Sequence, residues 1–192
     1  MLNEQKLQKV AEKAARTAVN LLSMEKKYTV KLINDPEIVQ DALFGTQENE
    51  ILINLAMLKP FPQSALPLSP NATEEEIEKN TDIRIILMVC YLTFHEIRHL
   101  YQKWAVEMYL INRLMGSKSF HQPESDKKSA LWESELKAYE LGDGKSWDIE
   151  EDADAFAAYL LHRYPAKMVL GKTDRRMGVL KRKYDKIEIS DD

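Results

Sequence analysis

The chain has 192 residues, a net charge of −4 and an apolar fraction of 44%. That is enough for one domain with a packed core, and it excludes collagen-like, mucin-like and largely disordered chains. The 27 basic residues are outnumbered by 31 acidic ones, which leaves no chain-wide positive field for a phosphate backbone, so nucleic acid is not an expected partner. The single cysteine, Cys90, cannot close an internal disulfide and points to a reducing, cytoplasmic setting.

In chain order, Met1 to Leu22 spreads Leu2, Leu7, Val10, Val19 and Leu22 among charges. That pattern predicts an amphipathic opening helix and is unlike the uninterrupted apolar core of an export signal. Tyr28 to Asn34 alternates and is rich in β-formers, so it reads as a strand closed by the turn Asn34-Asp35-Pro36. Residues 36 to 43 read as a short helix, Glu50 to Asn54 as a second strand, and the proline-rich stretch Lys59 to Asn71 as an irregular loop. Thr73 and Glu76 have the spacing of a capping box. A further helix start is placed near Thr81 or Asp82, with one long helix running to Met115 and stopping at Gly116. Within it the longest apolar run, Ile85 to Phe94, has only about half of the roughly 20 residues needed to cross a bilayer, so it predicts a buried helix segment and no membrane partner.

Beyond Gly116 the sequence reads as a polar excursion to Lys128, a helix from Ser129 to Leu141, and a turn at Gly142-Asp-Gly144. A helix from Trp147 to Tyr164 follows, capped by Ser146 and closed by Pro165. A last helix is expected near 173 to 184, with a frayed acidic tail over 185 to 192. Its basic stretch Lys181-Arg-Lys183 reads as a solvated face, and Cys90 with Met88 as core. The whole is expected to form a single domain over 1–192, with 116–141 as an insertion.

The residues that carry chemistry lie in the long helix. His95-Glu96-Ile97-Arg98-His99 places two imidazoles four positions apart, which on a helix is about 40° around the axis and about 6 Å along it, so both can address one ion. Glu96 is turned away from that line but borders the site, where it can act on a water without ligating. A catalytic zinc takes three protein ligands and leaves a fourth position open, so a third ligand must come from elsewhere. The acids Glu150, Glu151, Asp152 and Asp154 at the start of the next amphipathic helix are the candidates. Glu150 and Asp154 share one face, so one can ligate while the other orients a histidine through its second ring nitrogen.

These two segments, His95-Glu-Ile-Arg-His99 and Glu150-Glu-Asp-Ala-Asp154-Ala-Phe156-Ala157, together resemble the gluzincin pattern. They are most similar to the soluble ImmA/IrrE-type metallopeptidases, and Leu160-Leu161 and Pro165 extend the likeness. The resemblance implies an α+β, zincin-like domain: mostly helical, with a small, partly antiparallel sheet packed on a long metal-binding helix. It implies Zn2+ held by His95, His99 and Glu150, Glu96 as general base, Asp154 as the partner of a ligand histidine, and hydrolysis of a protein or peptide substrate. His99 and Glu150 stand 51 positions apart, a separation assigned to the 116–141 insertion. If Glu150 cannot cross it, the alternative is a non-catalytic protein of the same fold acting through protein interaction.

Two further expectations concern substrate. His162 is chosen over Tyr159 as a side chain to stabilise the oxyanion of a tetrahedral intermediate, whereas His121 reads as an ordinary surface residue. In the zincin-like architecture that the resemblance implies, the strand at Ile51 to Leu55 would be an edge beside the metal helix, open to addition of an extended peptide; an ordinary short sheet strand is an equal alternative.

Overall fold

The computed structural model describes residues 3–24, 28–40, 42–44, 49–61, 71–116, 120–140 and 147–163. Asn3 opens α1 (Glu4–Leu21) by accepting the Lys6 amide proton on its side-chain oxygen at 2.9 Å, which satisfies one of the orphan donors of a helix start. The buried stripe of α1 is Leu7, Ala11, Ala14, Ala15 and Ala18. Four alanines there let the helix backbone approach its neighbours closely, and α1 packs on the first strand and on the long helix.

Three strands follow, β1 (Thr29–Ile33), β2 (Ala42–Phe44) and β3 (Glu50–Asn54), in the spatial order β1-β3-β2. β3 pairs parallel with β1, with Val30 opposite Ile51, and antiparallel with β2, with Leu43 opposite Leu52. The segment 36–43 is a turn at 36–37 that ends in β2, not a helix. The buried carboxamide of Asn54 donates to the carbonyls of Asp35 and Ile38 and accepts from the amides of Asp35 and Ala56, which holds the connection open and delivers Ala42 to the free side of β3. The strand at Ile51 to Leu55 is central rather than an edge, since β1 and β2 flank it. On the far side of β1, the carboxamide of Gln8 donates to Val30 O at 2.6 Å and accepts from Leu32 N at 3.2 Å. A side-chain amide there occupies the place of a neighbouring strand's peptide group.

The long helix, α2 (Glu74–Met115), starts at the predicted capping box of Thr73 and Glu76 and ends at Gly116 in the left-handed conformation, φ 62°. It is a single helix of 42 residues, about 63 Å at 1.5 Å per residue, and the expected second start at Thr81 or Asp82 is not a boundary. The Thr81 hydroxyl donates back to Ile77 O at 3.0 Å, so it bonds within the helix rather than capping a new one. α2 is the spine of the fold, in contact with α1, both β2 and β3, and the two last described helices.

Those helices are α3 (Asp126–Glu140) and α4 (Trp147–Arg163). α3 begins three residues before the predicted start, and the Ser125 hydroxyl accepts from the Lys128 amide. α3 packs on α2 and α4 through the fully buried Trp132. α4 packs on α2 through Ile149, Ala153, Ala157, Leu160 and Leu161, all buried. The described chain is thus mostly helical with one small mixed sheet, an α+β arrangement. The turn at 142–144, the Ser146 cap, Pro165, the helix near 173–184, the acidic tail and most of the proline-rich loop lie outside the described residues. Among the described residues no helix is long and apolar enough to cross a membrane.

Candidate metal centre

His95 and His99 are on the face of α2 that meets the first turn of α4. Ala153 and Ala157 are both fully buried in that contact, and their small side chains let the two helices approach closely enough for the acids at the α4 N-terminus to reach the imidazoles. His95 Nε2 and His99 Nε2 are 2.9 Å apart, and Glu150 Oε2 lies 3.3 Å from the first and 3.5 Å from the second. Two ligands bonded at zinc distances of 2.0–2.1 Å and tetrahedral angles are separated by about 3.3 Å. The triangle of donors therefore has the size of one face of a tetrahedral zinc site. Among the described residues these are the side chains grouped so as to hold a metal ion.

The outer nitrogens decide what the inner ones present. His95 Nδ1 is 2.9 Å from Asp154 Oδ1, a carboxylate that also accepts from the Tyr91 hydroxyl at 2.5 Å. His99 Nδ1 is 2.8 Å from Gln102 Oε1. A carboxylate and an amide oxygen only accept, so both Nδ1 atoms carry the proton and both Nε2 atoms can offer a lone pair. Two such lone pairs and a carboxylate oxygen facing one another repel unless a positive charge lies between them. A proton or a metal ion meets that requirement, and with two nitrogen donors and one oxygen donor the set suits zinc with one position left open.

The titration behaviour of the three groups follows. Burial, aided by the neighbouring His99, pushes the pKa of His95 below its ordinary value despite the carboxylates of Asp154 and Glu150. Burial would do the same to His99, but its hydrogen bonds to Glu150 and Gln102 and the charges of Glu96 and Glu150 together raise it. Glu150 is held below its ordinary value by its bond to His99, in spite of partial burial and with help from His95.

His95, His99 and Glu150 converge, and Asp154 stands behind His95. Glu96 is buried on α2, and its charge acts on His99. The His162 side chain lies outside the described residues. Tyr159 is engaged with Arg163 one turn along α4, and His121 is exposed on the stretch before α3.

Three contributors were not read as such. Asp152, weighed as a possible ligand, takes both Nε and Nη2 of Arg98, at 2.6 and 3.0 Å, and also accepts from Gln102. Burial alone would raise its carboxyl, but Arg98, Gln102 and Lys128 outweigh that and hold it below the ordinary aspartate range. The Arg98 guanidinium is stacked over the rings of Tyr101, Phe156 and Trp132. Gln102 follows His99 by three positions, which is the one signal that could have marked it. Glu135 of α3 accepts the Ile149 amide proton at 2.9 Å, so the segment taken for an insertion caps the helix that carries Glu150. Comparison with known proteins finds no matching family model, no matching curated protein and no matching solved structure.

Proposed function

We propose that this chain is a zinc-dependent metallopeptidase of zincin-like fold, acting on a protein or peptide. The observation that carries the reading is the donor triangle of His95, His99 and Glu150, with edges of 2.9, 3.3 and 3.5 Å and with both histidines turned to offer Nε2. Zinc, when bound by those three side chains, polarises a scissile carbonyl and acidifies an attacking water. Asp154 and Gln102 hold the two imidazoles in the ligating tautomer. Glu96, adjacent to His95 and buried, takes the proton of the attacking water and returns it to the leaving amine. The separation between His99 and Glu150 does not favour the non-catalytic alternative, since Glu150 lies within 3.5 Å of both imidazoles.

The test has two arms. The purified protein is expected to retain close to one equivalent of zinc, and Glu96→Gln to retain it equally while losing cleavage of a mixed peptide substrate, because an amide neither accepts nor relays the proton. Zinc retention with no cleavage by the wild-type protein would favour the non-catalytic protein. Absence of zinc binding would remove the metal site itself.

A further inference from the structure

The fully buried Gln102 makes three polar contacts, and their chemistry leaves its amide one orientation. Its nitrogen donates to Ile149 O at 3.0 Å and to Asp152 Oδ2 at 2.9 Å. Both partners are acceptors only, so the NH2 group must face them and the oxygen must face His99 Nδ1, at 2.8 Å. Both NH2 partners are on α4, the helix that supplies Glu150, and Asp152 is in turn held by Arg98 of α2. We infer that Gln102 is a positioning residue that ties the tautomer of His99 to the docking of α4, so that the three metal donors become competent together. This rests on the metallopeptidase reading for its consequence but not for its geometry.

The coupling is reciprocal and its sign is fixed by the partners of the amide. With α4 in place, the Gln102 NH2 group has two acceptors, and turning it over would bring two donor hydrogens against His99 Nδ1–H while setting its oxygen against Asp152 and Ile149 O. Both faces would then repel. With α4 displaced, nothing chooses between the two orientations, and His99 is as free to carry its proton on Nε2, where it blocks coordination. His95 is held differently, by the more exposed carboxylate of Asp154, and that partner accepts whichever way it rotates. Gln102 is thus the member of the set whose orientation reports on the helix carrying the third ligand.

The experiment compares Gln102→Met and Gln102→Glu in the full chain, reading the His99 tautomer by proton–nitrogen correlation NMR of the metal-free protein at mildly alkaline pH, and zinc affinity by competition with a chelating dye. Methionine fills a similar volume with only a weak thioether acceptor, whereas glutamate keeps the strong acceptor and faces Asp152 with a charge. If Gln102 only fills space, methionine is the mild change and glutamate the harmful one. Positioning predicts the reverse: in Gln102→Met the Nδ1–H form of His99 gives way to a mixture and zinc binding weakens by about 10- to 100-fold, while Gln102→Glu recovers the Nδ1–H form and part of the affinity. Wild-type tautomer and affinity in Gln102→Met would overturn the inference while leaving the zinc site standing. A wild-type protein that binds no zinc, yet whose His99 tautomer still depends on Gln102 in this way, would overturn the metallopeptidase reading and support the orientation.

Discussion

Arg98 joins α2 to α4 by donating from Nε and Nη2 to the two carboxylate oxygens of Asp152, at 2.6 and 3.0 Å, two positions beyond Glu150. Fork-to-fork pairing of this kind fixes direction as well as distance. The carboxylate belongs to the scaffold of the site rather than to its ligands.

Asp152 is therefore expected to make stability depend on acid. Its folded-state pKa lies below the ordinary aspartate value, which is about 3.9. Its contribution is fully present above that value and is lost as pH falls through the depressed one. Asp152→Ala leaves Arg98 among three rings with the longer contact to Glu124, at 3.8 Å, and should cost about 2–3 kcal/mol at neutral pH, somewhat less than a fully buried pair because Asp152 is partly exposed. Urea denaturation across acid pH checks this: the difference between wild type and variant should shrink as the solution is acidified. A difference that stays constant down to the most acid point would remove the ion pair as its source.

Among the acids at the start of α4, Glu150 is expected to dominate metal binding. Glu150→Ala removes the oxygen that faces both imidazoles and should abolish most zinc binding. Asp154→Asn should weaken it by about 10- to 100-fold through the orientation of His95. The exposed Glu151 should tolerate alanine with no measurable change. Zinc titration of the three variants decides the register, and a larger loss at Glu151 than at Glu150 would contradict it.

Cys90 is expected to be inert in the native protein. It is buried at 2% exposure, and burial, only partly offset by the charge of Lys13, pushes its thiol up to about 12. At pH 8 the nucleophilic thiolate is scarce and screened. A thiol-reactive dye should label the folded chain far more slowly than the chain in urea, and stoichiometric labelling of folded protein within minutes would refute this.

How much of this was legible in the sequence depended on whether a feature was local. The spacing of His95 and His99, the box at Thr73 and Glu76 and the strand signals of β1 and β3 are short-range patterns, and each stands where it was read. β2 is three residues long and exists because β3 offers it an edge and Asn54 secures the loop before it. Nothing within 36–43 encodes that. Thr81 looked like a cap because hydroxyl residues favour helix starts, whereas inside α2 the same hydroxyl bonds to the preceding turn. The roles of Asp152 and Gln102 required knowing how α4 lies on α2, which helical periodicity alone does not specify.

The last expectation concerns Glu135, through which α3 reaches the end of α4 that carries Glu150. Its carboxylate accepts the Ile149 amide proton, the part usually taken by a cap on the same helix, and losing such a cap costs about 0.5–2 kcal/mol. Burial and the nearby Asp148 raise the Glu135 pKa in spite of that bond. Its protonated form therefore contributes stability that is fully present below the ordinary glutamate value, about 4.3, and is lost as pH rises through the higher folded-state value. Glu135→Gln keeps an oxygen for Ile149 and abolishes that titration, so it should stay close to wild type in stability at neutral pH and lose the pH dependence. Glu135→Ala removes the acceptor and should lower both the denaturation midpoint and zinc affinity, because the first turn of α4 carries Glu150. Thermal denaturation with and without zinc checks both variants. If alanine lowers stability by the expected amount while zinc binding is unchanged, α3 supports the fold but does not hold the third ligand in place.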